Sequence, residues 1–181
     1  MSLFRGLPGH PLHPPLTDAT IGIYTAATAF GVLGALGVSE GNTTTAWWLA
    51  LVAGLVVTVP TALTGLLDWL QLTRGSELWK TATAHLAAMV TATVLFLLAA
   101  ILGHASYVDR AISGGSLALT VLAFLVLTVG GWLGGSIVFV FGMRVLNLSD
   151  EPFERAISPF PHPEKEAAEG RPHTGEPHSG H

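Results

Sequence analysis

Two histidines three positions apart, His10 and His13, stand in the run Gly9-His10-Pro11-Leu12-His13-Pro14-Pro15-Leu16-Thr17-Asp18, which leads directly into a long apolar stretch. Imidazole suits haem iron, zinc, copper and non-haem iron alike, and a nearby carboxylate can act as a further ligand or accept the second ring N–H. Deeper in the chain, Asp68 and His85 lie inside apolar runs. A charge within such a run costs about 2.5 to 3.5 kcal/mol even on the mild insertion scale, so these positions are functional or paired. The chain has no Cys. That removes disulfides, thiolate-held iron–sulfur clusters, covalent c-type haem and a Cys nucleophile, and leaves His and carboxylate as the strong ligands. No Ser-His-Asp spacing, no phosphate-cradling Gly loop followed by Lys and no His-Glu-x-x-His is present, so no catalytic residue is assigned.

The elements that must position these groups follow from composition. The chain has 181 residues, of which 50% are hydrophobic and only 11% charged, and its mean hydropathy is +0.55. Those values fit a membrane protein rather than a soluble domain. Eight Lys and Arg against twelve Asp and Glu, with a net charge of −4, give no concentrated basic surface for nucleic acid. Four stretches reach the roughly 20 apolar residues that a spanning helix needs: about 18–38, 46–72, 79–103 and 116–145. Short connections make consecutive spans antiparallel neighbours. The expected fold is all-α, an antiparallel four-helix bundle in the membrane. Residues 1–17 form a His-Pro lead-in, 18–146 the four-span domain, and 147–181 a disordered tail.

Arg5, Arg74, Lys80, Arg144, Arg155, Lys165 and Arg171 fall on the side of the termini and only Arg110 on the other, which predicts that both termini are cytoplasmic. The first 17 residues lack the apolar core of a cleavable leader, so the first span is expected to act as its own insertion signal. Trp47, Trp48, Trp69, Trp79 and Tyr107 fall near span ends, as an aromatic belt would place them; Trp132 does not. The tail carries His162, His173, His178 and His181 in a Pro-rich setting, without the fixed geometry of a specific metal site.

Small and polar residues recur at helical spacing in each span. They are Asp18, Gly22, Thr25 and Ala29 in the first, and Gly54, Thr58, Thr61, Gly65 and Asp68 in the second. In the third they are Thr81, His85, Ala88 and Ala92, and in the fourth Thr128, Gly131, Gly135, Val138 and Gly142. As packing seams these let membrane helices approach closely. At 1.5 Å per residue, Asp68 lies roughly 9 Å inside Arg74 and His85 roughly 8 Å inside Lys80, so the two share a depth. His10, His13, Asp18 and Arg144 belong to the same side, giving one expected cluster of six. His104 is roughly 28 Å from His85 along the third span and cannot join it. Thr17 or Asp18 as a helix cap, Arg144 as a positive anchor and an Asp68–His85 pair fixing register are the structural readings of the same residues. The two hairpins share gross shape, with no convincing repeat in their residues.

The runs GHPLHPPLTDATIGIY, TGLLDW and GGWLGGSIVFVFGMRV, with a His one turn into the third span, resemble a family of small bacterial four-span membrane proteins catalogued as a domain of unknown function, DUF2231. The likeness covers about residues 8 to 146, and the doubled His-Pro lead-in is its most specific element. It implies a bacterial inner-membrane protein, with family positions at His10, His13, Asp68 and His85. Members joined to Rieske-type iron–sulfur modules imply membrane redox work; no established activity comes with the family. Three functions stand open. In one, His85 with either His10 or His13 binds haem b, or His10, His13, His85 and Asp68 hold a transition metal ion, in membrane electron transfer, with Asp18 and Arg144 supporting. Another makes the chain a non-catalytic assembly subunit of a membrane complex, the cluster being a polar lock. In the last, Asp68 and His85 form a proton relay or part of a transporter.

Overall fold

The computed structural model describes residues 6, 7 and 10–145, with the backbone alone at Gly6, Leu7 and His10. The tail, and the histidines in it, lie outside the described residues. A two-residue antiparallel pair, β1 (Gly6–Leu7) and β2 (His10–Pro11), places Leu7 opposite His10. The helices are α1 (His13–Ala35), α2 (Glu40–Trp69), α3 (Glu77–Leu102), the short α4 (His104–Asp109) and α5 (Gly114–Phe139). Of these, α1, α2, α3 and α5 are long and apolar enough to cross a membrane. The all-helical, four-span bundle is as expected.

Local chemistry explains the helix ends. Pro14 and Pro15 sit in the first turn of α1, where a missing N–H costs nothing and φ is already helical. The helix therefore begins at His13, within the 1–17 stretch read from sequence as a lead-in, and neither Thr17 nor Asp18 caps it. Ser76 and Ser113 cap α3 and α5, accepting from the backbone N–H of Trp79 and Ser116. α2 carries Pro60 in its interior, on an exposed face.

α1 packs along α2 and α3 along α5, with lighter contacts joining the two pairs through α1–α5 and α2–α3. The pairs repeat one another. The six buried residues of α1 are Thr20, Tyr24, Ala27, Thr28, Gly31 and Gly34. Shifted by 72 positions they become Ala92, Phe96, Ala99, Ala100, Gly103 and Ser106, every one of them buried. In α2, Trp47, Leu51, Gly54, Thr61 and Asp68 correspond at a shift of 69 to Ser116, Thr120, Ala123, Gly130 and Ile137, again all buried. Tyr24 and its counterpart Phe96 stack face to face, 3.9 Å between ring centroids and 2° apart. Counterparts in mutual contact mark an approximate two-fold axis, here running along the bundle as in parallel-repeat membrane folds. The repeat escapes the sequence because it is carried by burial. Thr20 faces Ala92 in the alignment, Tyr24 faces Phe96 and Asp68 faces Ile137.

The faces expected from small residues are partly displaced. Asp18, Gly22, Thr25 and Ala29 are all exposed, and in α5 Thr128 is exposed while Ala123, Leu127, Gly130 and Ile137 are buried. The α2 face holds: Gly54, Thr61 and Asp68 are buried. Trp47, placed by sequence in an interfacial belt, is fully buried instead. It lies against both Gly31 and its counterpart Gly103, and its indole Nε1 donates to Thr120 Oγ1 at 3.1 Å. Trp132 is 80% exposed, on the face that lipid would cover.

Candidate functional site

Each of two histidines is seated on its pair's second helix in the same way. A Cβ added at Gly65 would come within 2.6 Å of His13 Cε1, so the glycine is a notch in α2 that admits the ring. Four residues before Gly65, the Thr61 carbonyl accepts from His13 Nδ1 at 3.0 Å, with Thr64 Oγ1 at 3.3 Å beside it. In the other pair, a Cβ at Gly134 would come within 3.2 Å of His85 Cε1. The carbonyl four residues before it, Gly130 O, accepts from His85 Nδ1 at 2.8 Å. His13 and His85 are 72 positions apart and their notches 69, the shifts of the repeat itself. They are therefore counterparts across the axis, each half-buried.

A backbone carbonyl can only accept, so Nδ1 carries the proton in both rings and Nε2 is the nitrogen with the lone pair. Neither Nε2 has a hydrogen-bond partner among the described residues. This is the arrangement by which an outer carbonyl fixes the tautomer of a ligating imidazole. His85, Asp68 and Arg144 all lie within electrostatic reach of His13. Asp68 is 7% exposed, and Arg144 donates from Nη2 to its Oδ1 at 2.5 Å. Asp68 is thus ion-paired with Arg144, while His85 bonds the Gly130 carbonyl. Arg144 reaches back through a turn in which Gly142 and Arg144 both take positive φ, +65° and +59°.

The structure therefore brings together His13, Asp68, His85 and Arg144 of the six residues expected. Asp18 is exposed and makes no hydrogen bond among the described residues. The side chain of His10 lies outside the described residues. His104 belongs to the far end, 5.5 Å from the Trp48 ring and edge-on to it. Sequence reasoning missed the two carbonyl acceptors and Trp47; the Gly65 and Gly134 notches were visible only as members of Gly-rich runs. Among the described residues no group of three or more His, Asp or Glu is placed to hold a metal ion.

The Asp68–Arg144 pair yields a stability prediction. Arg144 keeps 28% of its side chain exposed and Asp68 only 10%, and a long guanidinium stem can turn to water or headgroups where a short buried carboxylate cannot. Arg144→Ala is expected to lower stability by about 1 to 2 kcal/mol, discounted for that exposure. Thermal unfolding of the Arg144→Ala variant in detergent checks this; a melting temperature equal to the parent's would contradict it.

A family model described as "Predicted membrane protein (DUF2231)" matches residues 9–147. No curated protein and no solved structure matches the chain.

Proposed function

The chain belongs to the DUF2231 family of predicted membrane proteins, and from that premise and its paired imidazoles we propose a bacterial inner-membrane protein that binds haem b through His13 and His85. The observation carrying this reading is the matched seating of the two rings, each with Nδ1 bonded to a carbonyl and Nε2 without a hydrogen-bond partner among the described residues. Haem iron brings four nitrogens of its own and asks the protein for one or two axial ligands. A bare transition metal ion asks for three or four donors. Two imidazoles from two helices fit the first demand better, and the ion is the second occupant to test. Bound there, haem supplies one-electron exchange, which suits work beside a membrane redox complex or a Rieske-type protein. The distribution of Arg74, Lys80 and Arg144 at the histidine end against Arg110 at the other supports a cytoplasmic placement of the site.

The experiment is an absorption spectrum with metal analysis on detergent-purified protein, followed by haemin titration of the apo-form. The expected result is a low-spin bis-imidazole spectrum at one haem per chain. His13→Ala and His85→Ala should each abolish that spectrum, because either loss leaves the iron five-coordinate. Colourless protein that takes up neither haemin nor stoichiometric iron, zinc or copper would sink the reading.

A second reading has its own support. His13 ties α1 to α2 and His85 ties α3 to α5, so both also act as polar fasteners within their pairs. If each Ala variant lowers the unfolding temperature and no cofactor binds the parent protein, the cluster is a lock in an assembly subunit.

A further inference from the structure

We propose that the ligand held between the two imidazoles carries negative charge at its outer edge, and that Arg144, oriented by Asp68, is the residue that binds that charge. This rests on the haem reading and names how the same site recognises its ligand; for haem b the charge is that of the propionates.

The argument begins with what closes the axis. Trp47 fills the far end between Gly31 and Gly103, and the Tyr24–Phe96 stack, both rings almost wholly buried, fills the middle. A ligand reaching His13 and His85 must enter from their own end and leave its polar edge there, since the interior beyond them offers aromatic carbon. Arg144 stands at that end, and among the described residues it is the cation within electrostatic reach of His13. Lys80 is exposed and paired with Glu77 at 2.6 Å, and Arg74 is exposed.

A guanidinium presents five N–H donors along two usable edges. Arg144 gives Nη2 to Asp68, and its Nη1 and Nε have no partner among the described residues. Asp68 therefore fixes the plane of the group and leaves donors over, which is what a second carboxylate requires. Neutralisation by Asp68 also lets the cation wait, partly buried, before the ligand arrives. Asp68 is a positioning residue here, and Arg144 the binding one.

The test uses full-length apo-protein in detergent, titrated with haemin and with haemin dimethyl ester, in which both propionates are esterified. The wild-type chain should bind haemin about ten-fold or more tightly than the ester, the scale of one charge-assisted contact. Arg144→Gln should keep the bis-imidazole spectrum with both probes and erase the preference, bringing haemin down to the ester's affinity. Arg144→Lys should restore part of it, and Asp68→Asn should reduce it several-fold. Equal affinity of the wild-type chain for the two probes, which needs no variant, overturns the role of Arg144 while leaving the axial pair intact. So does an Arg144→Gln variant that still prefers haemin. Failure of the wild-type chain to give a bis-imidazole spectrum with either probe overturns both proposals together.

Discussion

Replacing Trp47 with alanine is expected to destabilise the bundle by about 2 to 3 kcal/mol, read as a large fall in unfolding temperature or in the midpoint of a denaturing-detergent titration. In water a Trp→Ala change in a core costs about 3 to 5 kcal/mol, part of which is transfer of the side chain from solvent. In a bilayer the unfolded helices remain in lipid, so the transfer part shrinks and the cavity remains. At Trp47 that cavity would be central. The indole is fully buried and fills the space between two glycines that are each other's counterparts. Its removal would separate α2 from α1, from the α3–α4 junction and from α5 at once. Thr120 keeps its own bond to the Ser116 carbonyl at 2.9 Å, so the hydrogen bond adds little to the loss. Trp47→Phe should therefore recover most of the stability. If Trp47→Ala melted within about 0.5 kcal/mol of the parent, the scale of a surface substitution, the role of the indole as the axial plug would be refuted.

The glycines around Trp47 sharpen the same expectation. A Cβ at Gly31 would meet Trp47 Cδ1 at 2.9 Å, the edge of a side chain with some freedom to tilt. A Cβ at Gly103 would meet the indole and also the Ala99 carbonyl oxygen, the latter at 2.5 Å, and the backbone has no such freedom. Gly103 also lies at the break between α3 and α4. These two positions look alike in sequence.

What could be read from the chain divides along the same line. Four spans follow from length and hydropathy, since nothing but a closed hydrogen-bonded helix crosses hydrocarbon economically. Asp68 and His85 stand out because ionisable groups are expensive in such runs. Which face of each helix looks inward was harder. In a soluble helix the outward face is polar, but here Leu, Val, Ala and Gly suit lipid and interior alike. In α1 the exposed Asp18 drew the expected face away from Thr20 and Tyr24, and in α5 the glycine run from Gly130 to Gly135 offers several equivalent phases. His13 was assigned to a lead-in because two prolines follow it. They sit in the first turn, where proline starts a helix as readily as it ends one.

The repeat also explains why two of the ionisable residues share a depth. A two-fold arrangement brings one imidazole from each pair to the same depth, so a histidine in α1 and another in α3 meet at one end without being near in sequence. Their surroundings have then diverged. The α1–α2 pair is rich in hydroxyls, with Thr20 bonded to Thr61 at 2.9 Å and Tyr24 to Thr58 at 3.0 Å. The corresponding places in the α3–α5 pair are Ala92, Gly130, Phe96 and Leu127. One imidazole thus sits beside a polar wall and the other beside an apolar one, which gives the two sides of any bound group different environments.

On the haem reading, Gly65→Val is the substitution that separates a seat from a ligand, and it is expected to abolish the bis-imidazole spectrum while His13 is still present. With an ideal Cβ only 2.6 Å from His13 Cε1 and 3.0 Å from Nε2, no side chain larger than hydrogen fits under the ring. A branched residue must push the imidazole off the Thr61 carbonyl, and an axial ligand displaced by even 1 Å no longer reaches the iron. The spectrum should become that of a five-coordinate haem bound by His85 alone, with haemin affinity reduced at least about ten-fold. Loss of the carbonyl bond and the overpacking should also lower stability by about 1 to 3 kcal/mol. Gly134→Ala is the control. At 3.2 Å the contact with His85 is tight but can be relieved by a few tenths of an ångström, so a low-spin spectrum should survive with weaker affinity. If Gly65→Val keeps a bis-imidazole spectrum and wild-type affinity, His13 is not held in its notch when the cofactor is bound, and the matched seating loses its standing as the basis of the site.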